Sequence, residues 1–449
     1  MIEHSTVQSF VDQFSEIKSR LPGEQLDWLT PLRDLGIARF GQLGMPTTRL
    51  ETWKYTKLQP FDDTAFKPVS EIIRENQPQQ SSSIFPEDAD VFRLVFSNGY
   101  LDGALSNVRE LPAGLTVQTL AQAMDSNPEW LQAKLCREHN GESEALVALN
   151  AAMMESGYVI HVAQGAKIEK PVEVIFMGGI TSKPVAHHPR NLVVLEEGSE
   201  VTLVKNNIGF GVGPYLSNTV TDIEIADGAK LRHYKVQAET LEAVHLSTIN
   251  VEIGADSLYE YFGLSIGGRL SRTEISAHLN GSGGHCSING SYLMRGSEHC
   301  DYTTVIEHHV PDTTCSEVFK GVLDDDSRGV FQGKIIVHKD AQRTDGRQLS
   351  KALLLSNKAE MDAKPELEIY ADDVKCAHGA TTGQLDETSL FYLRSRGIPE
   401  AQARNLLIQS FLGEALEQVS DEKIRSLLMD RIFDWLPAQC YRADEWTSE

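Results

Sequence analysis

Residues 198–206, "GSEVTLVKN", set a glycine turn directly ahead of a short run of strand-forming side chains. The pattern returns as "GAKI" at 165, "GAKL" at 228, "GADSL" at 254 and "GHCSI" at 284, with intervals of 33, 30, 26 and 30 residues. A unit of this size, with a glycine turn before each strand, is what a solenoid or β-helix produces when successive coils stack their strands in parallel. From about 157 to 380 the chain reads as strand after strand, among them "YVIHVA", "VEVIFM", "NLVVLE", "EVTLVKN", "TVTDIEI" and "INVEIG". The unequal intervals keep a sandwich of antiparallel hairpins as the competing arrangement.

Outward from this body the periodicity turns helical. Val7, Phe10, Val11, Phe14, Ile17 and Leu21 mark one face of an N-terminal helix, and a second helix is expected around 26–43. "ENQPQQSSS" (75–83) is polar and aperiodic and reads as a linker. Residues 90–150 look mixed, with a strand at "VFRLVFS" and helical patterns at 117–125 and 128–138. At the other end, Asp386 is placed to cap a helix through "ETSLFYLRSR", with Gly397 as its stop and Pro399 opening the next. Leu407, Ile408, Phe411, Leu412, Ala415, Leu416 and Val419 share one face of that second helix. A third helix opens at Ser420 to Glu422 and carries Ile424, Leu427, Leu428, Ile432 and Leu436. The expected plan is a helical and mixed region over 1–156, a β-helix core over 157–383 and a helical domain over 384–449.

The chain has 449 residues, room for two or three domains or one elongated one. Its 41 lysines and arginines face 64 aspartates and glutamates, a net charge of -23 that repels phosphate backbones and anionic lipid. Protein partners or small cations suit it better. The N-terminus carries early acidic residues and no apolar core, so no signal peptide is expected, and no apolar run is long enough to span a membrane. Six cysteines (136, 286, 300, 315, 376, 440) without a CxxC read as free thiols in a reduced cytoplasm.

The stretch "DVKCAHGATTG" (373–383) holds the main candidate chemistry. On an extended strand, Cys376 and His378 share one face, their Cα atoms roughly 7 Å apart, close enough to serve one metal ion. Thiolate and imidazole suit iron or zinc, and a nearby imidazolium would lower the thiol pKa. The alternative is a cysteine packed as a small hydrophobe beside a histidine that makes one hydrogen bond. His285-Cys286 and His299-Cys300, with Cys315 and His308-His309, offer soft donors too. Adjacent strand residues face opposite ways, however, so each dipeptide gives only one donor to a common centre. Asp324, Asp325 and Asp326 are either a carboxylate cluster for calcium or glycoside chemistry or a solvated turn. "GVFQGKI" has Ile335 where a phosphate-binding loop requires Ser or Thr, and "GFGVGP" does not match the dinucleotide fingerprint, so no nucleotide is expected on this chain. Phe391, Tyr392, Arg394 and Arg396 in "FYLRSRG" are residue types favoured at interfaces, and the stripe that includes Phe411 is first a core face and second a docking surface.

Taken together, "TRLETWKYTKL" (48–58), the β-rich body and "AQRTDGRQLSKALLLSNKAEMDAKPELEIYADDVKCAHGATTGQLDETSLFYLRSRGIPEAQARNLLIQSFLGEAL" (341–416) closely resemble the SufB/SufD family of iron-sulfur cluster assembly proteins. The resemblance implies a right-handed parallel β-helix core between helical ends, in agreement with the glycine repeat. The chain looks like the D-type member. The B-type has a His-Glu pair before "ATT", where His378-Gly379 stands here, and a cysteine upstream near Leu349-Ser350-Lys351. Without that thiol, independent cluster building is not expected. The resemblance further implies a non-enzymatic scaffold that pairs with a B-type subunit and docks a SufC-like ABC-type ATPase on its C-terminal helices. His378 would then supply a ligand to transient iron or a nascent cluster at the subunit boundary, with Cys376 a weaker candidate. Asp372 and Asp373 read first as a solvated strand edge and second as a means of raising the local cation concentration, and a homodimer is expected in isolation. The competing functions are a β-helix carbohydrate-active enzyme using Asp324 to Asp326 and a self-sufficient zinc protein.

Overall fold

The computed structural model describes residues 2–69, 83–136, 144–211 and 213–436. Cys440 and nearly all of the stretch 75–83 lie outside them.

Two long parallel sheets form the body, and the chain alternates between them strand by strand. One runs from Tyr158–Val162 through Arg190–Leu195, Tyr215–Ile225, Ala243–Ile253, Leu270–Leu279, His299–His308 and Arg328–Val337 to Glu360–Ile369. The other runs from Val172–Gly178 through Glu200–Gly209, Lys230–Ala238, Leu258–Ile266, His285–Met294, Thr314–Leu323 and Asp345–Leu354 to Lys375–Gly383. This is a β-solenoid with helices at both ends, and the antiparallel sandwich is not formed. The register explains why. Lys230 pairs with Glu200 and Leu258, and Leu258 in turn with His285, so each coil lies directly on the last and buries a continuous ladder.

The turns that feed six coils of the second sheet place a left-handed residue two positions before the strand. Gly198, Gly228, Asp256, Gly283, Asp312 and Arg343 occupy it, all with φ between 52° and 76°. Glycine takes that conformation without steric cost and aspartate tolerates it, which is why the glycine pattern is only partly regular.

The sheets also extend N-terminally. Phe92–Ser97 adds in parallel to Val172–Gly178, and Leu115–Thr119 adds antiparallel to Tyr158–Val162. The helix expected over 117–125 is therefore corrected. Its first residues complete a strand, and the helix itself is Leu120–Ser126, opened by a capping box between Thr119 and Gln122. The β-branched and alternating "LTVQT" wins locally because it can hydrogen-bond to an existing sheet edge. The helix expected over 128–138 is Pro128–Leu135.

Three apolar layers hold the assembly. Between the sheets, Leu203, Leu231, Ile249, Ile275, Ile288 and Phe331 belong to one interior core. On the outer face of the first sheet, Phe10, Phe14 and Phe40 of the N-terminal helices Ile2–Ile17 and Leu29–Leu43 cover Leu216, Val244 and Leu270. On the outer face of the second, Ile408, Leu412, Ile424, Leu428 and Ile432 of Glu400–Leu416 and Glu422–Trp435 cover Tyr234, Phe262, Leu293 and Val322. Asp386 and Asp421 cap the C-terminal helices as the sequence suggests, accepting from the backbone N–H groups of Ser389 and Ile424.

The segment 48–58 is a clamp on the first sheet. Trp53 is fully buried, and the Arg272 guanidinium lies 4.1 Å from the centre of its ring. Arg272 pairs with buried Asp301 and, at 2.9 Å, with Glu274. Thr56 donates to the same Asp301 carboxylate, and Thr303 donates to it at 2.9 Å. Gln332 donates to the Thr52 carbonyl at 2.7 Å.

The interior is also rich in histidine. Burial pushes His187, His245, His299 and His308 down to about 4 and His188 and His233 down to about 3. Burial likewise raises the carboxyls of Glu155, Glu298 and Glu317 to about 7. A histidine whose folded pKa is depressed binds its proton more readily in the unfolded chain, so it costs stability as pH falls from 6.5 toward its folded value. A carboxyl with a raised folded pKa does the reverse, returning stability as pH falls from 7 toward 4.5. Six histidines outweigh three carboxyls. The thermal midpoint is therefore expected to fall between pH 6.5 and 4, each histidine contributing on the order of 1 kcal/mol per pH unit. His233→Gln should flatten that slope in circular-dichroism melts; an unchanged slope would count against the buried-histidine account.

Candidate functional site

The two sheets end on Glu360–Ile369 and Lys375–Gly383, and no further coil covers either strand among the described residues. Inward positions that are buried in every other coil are open here. Gln348 is buried and donates to the Glu317 carboxylate at 2.6 Å. His378 stands next in the same register ladder, paired with Gln348, yet it is exposed. The ladder Glu317, Gln348, His378 is thus a column of polar side chains that begins inside the solenoid and ends at its mouth. No described residue gives the His378 side chain a hydrogen bond, ion pair or ring contact.

Cys376 shares this face, as the two-residue spacing predicts, and continues a parallel ladder of Cys286, Cys315, Gly346 and Cys376. The absence of a side chain at Gly346 leaves a gap between thiols: a Cβ there would lie 3.3 Å from the Cys315 sulfur and 3.6 Å from that of Cys376. Cys376 packs against the interior core and is half-buried. Burial pushes its thiol up, and the Asp345 charge adds to the effect. The lowering expected from a neighbouring imidazolium is therefore corrected: at neutral pH Cys376 is a protonated thiol, while His378 offers an accessible imidazole.

The surroundings of the mouth are those of an interface. Ile369 and Tyr370, at the end of one edge strand, are 41% and 63% exposed. Two strand edges present unpaired backbone donors and acceptors. The following helix, Glu387–Ser395, buries none of its residues, and Phe391 and Tyr392 on it are 72% and 57% exposed. Arg396 lies over the Tyr392 ring at 5.5 Å, and Arg394 pairs with Glu400 at 3.3 Å. Phe411 sits elsewhere. It packs against the second sheet, where Lys320 lies 4.5 Å from its ring centre and donates to its carbonyl at 2.8 Å.

The remaining candidates are placed as follows. Asp324, Asp325 and Asp326 form the turn between Thr314–Leu323 and Arg328–Val337. Asp324 accepts from the Asp325 backbone, Asp325 from the Gly296 backbone at 3.0 Å, and Asp326 pairs with Lys358 at 3.2 Å. Each carboxylate is thus engaged by a backbone N–H or a lysine at the turns, although Asp325 shares a cleft with Glu239 and Glu298. "GVFQGKI" lies within the strand Arg328–Val337 and is no loop. Cys286, Cys300 and Cys315 are buried, and His308 lies 3.2 Å from the Cys315 sulfur. Ser350 is buried and pairs with Ala380 on the last strand.

One group was not legible. His278, Glu307 and His309 bring a donor atom each within 4.8 Å of one another on the outside of the first sheet. Their sequence intervals are those of the coil, so a search at that period would have found them.

No helix among the described residues is long and apolar enough to cross a membrane. Two family models match the chain: the SufBD protein N-terminal region over residues 4–174, and the SufBD core domain of SUF system FeS cluster assembly over residues 178–411. The iron-sulfur cluster assembly protein SufD of Escherichia coli is 32% identical over 88% of this chain and 90% of its own. A SufBD family protein of Synechocystis is 30% identical over 84% and 85%. SufD of Bacillus subtilis is 25% identical over 95% and 97%. The parallel β-solenoid, its helical ends and these likenesses along nearly the whole length agree: the chain belongs to the SufBD family of iron-sulfur cluster assembly proteins and is of the D type.

Proposed function

We propose that this chain is a non-catalytic subunit of the cytoplasmic Suf assembly complex. In this reading it pairs through the open end of its solenoid with a B-type subunit, and His378 is its ligand to iron or to the nascent cluster. The observation that carries the reading is the exposed His378 at the mouth of an uncovered coil, without a partner among the described residues. A cluster under construction needs few and exchangeable ligands, because a closed four-thiolate cage would retain its product. One imidazole at a subunit boundary, completed by thiolates from the partner, meets that need. Two free strand edges supply the backbone pairing, and in isolation a second copy of the chain would take the partner's place.

An ABC-type ATPase docks on the C-terminal helices and performs the ATP hydrolysis. Phe391 and Tyr392 supply apolar anchors for it, with Arg394 and Arg396 at their rim. Phe411 supports the docking face from below. Phe391→Asp together with Tyr392→Asp is expected to remove the ATPase from the co-purified complex while the B-type subunit stays. Both side chains are mostly exposed, so the thermal midpoint of the isolated chain should hold. Retention of the ATPase in full stoichiometry would place its docking site elsewhere.

A further inference from the structure

The outer face of the first sheet carries histidines that the open end does not use. His278 is the penultimate residue of Leu270–Leu279, and Glu307 is its register partner on His299–His308. In the stretch that follows, Ile306 and His308 are buried, while the alternate residues Glu307 and His309 face outward. His338 follows the next strand, and its ring stacks on that of His309 with centres 4.4 Å apart. The coil register thus brings four side chains from three coils together.

We infer that His278, Glu307 and His309 form a binding site for a divalent transition-metal ion, with His338 positioning the carboxylate. The separations carry this. His278 Nδ1 lies 3.4 Å from His309 Nε2 and 3.9 Å from Glu307 Oε1, and His309 Nε2 lies 3.8 Å from Glu307 Oε2. An ion bound at about 2.0–2.2 Å by tetrahedral nitrogen and oxygen ligands holds neighbouring donors about 3.4 Å apart. The two imidazole nitrogens already stand at that separation, and Glu307, which faces them with different oxygens, needs to turn to offer one oxygen to both. Two imidazoles and one carboxylate, with a position left for water, suit zinc, cobalt or ferrous iron better than calcium or magnesium.

His338 Nε2 lies 3.0 Å from Glu307 Oε2. A hydrogen bond to a ligating carboxylate fixes its orientation and tunes its strength. His278 and Glu307 also line one wall of a cleft of about 400 Å³, whose other walls include Glu252, Glu274 and Glu366. Lys334 and Lys364 line the same cleft, and Glu274 and Glu366 pair with Arg272 and Lys364.

The test is a cobalt titration of the full, untagged chain after chelation. It is run throughout on a His378→Ala background, so that an ion held at the open end is not counted. One equivalent of cobalt with the intense visible bands of a four-coordinate ion is expected. His309→Gln and Glu307→Gln should each weaken binding on the order of 100-fold or more, and His338→Gln about 10-fold, with unchanged circular dichroism. Failure to bind an equivalent of cobalt, or equal affinity in His309→Gln, would overturn the site and leave the imidazoles as a stacked ladder between coils. Neither outcome bears on His378.

Discussion

Asp301→Asn is expected to destabilise the chain by about 3–5 kcal/mol, because it strips a buried guanidinium of its main counter-charge. Arg272 and Asp301 are both essentially inaccessible, and Asp301 also accepts from Thr56 and Thr303. The loss would therefore spread from the first sheet to the segment 48–58 that it anchors. Trp53→Ala should cost a similar amount, about 3–5 kcal/mol, through the cavity left over the Arg272 face. The two residues share one partner, so their effects should not add. Arg272→Met combined with Asp301→Asn should recover part of the loss, since an unpaired buried charge costs more than a missing pair. Denaturant unfolding of the single and double variants decides the matter. A loss below about 1 kcal/mol for Asp301→Asn would mean that the clamp is an ordinary surface contact.

If His378 is the ligand proposed above, His378→Ala is expected to reduce cluster formation by the co-expressed subunits on the order of tenfold or more, since the loss of a ligand weighs more than the loss of a contact around one. Its side chain has no partner among the described residues, so the stability of the isolated subunit and the assembly of the complex should both survive. Cys376→Ala should retain most cluster formation, because the thiol is turned against the core and held protonated. Iron and sulfide content of the purified complex would separate the two variants. Equal cluster content in both would reduce the stretch 373–383 to packing.

Much of this was legible from residue order because a solenoid writes its period into the chain. "GSEV" and "GAKL" mark the coil turn directly, since Gly198 and Gly228 take the left-handed position. "GADSL" and "GHCSI" mark it with an offset, because Asp256 and Gly283 hold that position and Gly254 and Gly284 do not. At Arg343 the same conformation is taken by a residue that no propensity would nominate. The two-residue spacing placed Cys376 and His378 on one face, but spacing could not tell which is accessible. That depends on the coil ending at residue 383 and on the gap at Gly346, both properties of the stack. Trp53 and Thr56 were visible as a motif, while their role as a clamp depends on Arg272 and Asp301, more than 200 residues away. His278, Glu307 and His309 escaped because their contacts run across coils.

The central claim is that His378 of this chain ligates the metal being assembled at the subunit boundary. It is tested most directly by labelling only this subunit with isotopic histidine nitrogen, assembling the complex with its partners and recording the hyperfine spectrum of the paramagnetic iron centre. The account predicts a coupling to labelled nitrogen that survives Cys376→Ala. A fully loaded cluster without any coupling from the labelled subunit would contradict it and leave the open end as a pairing surface alone.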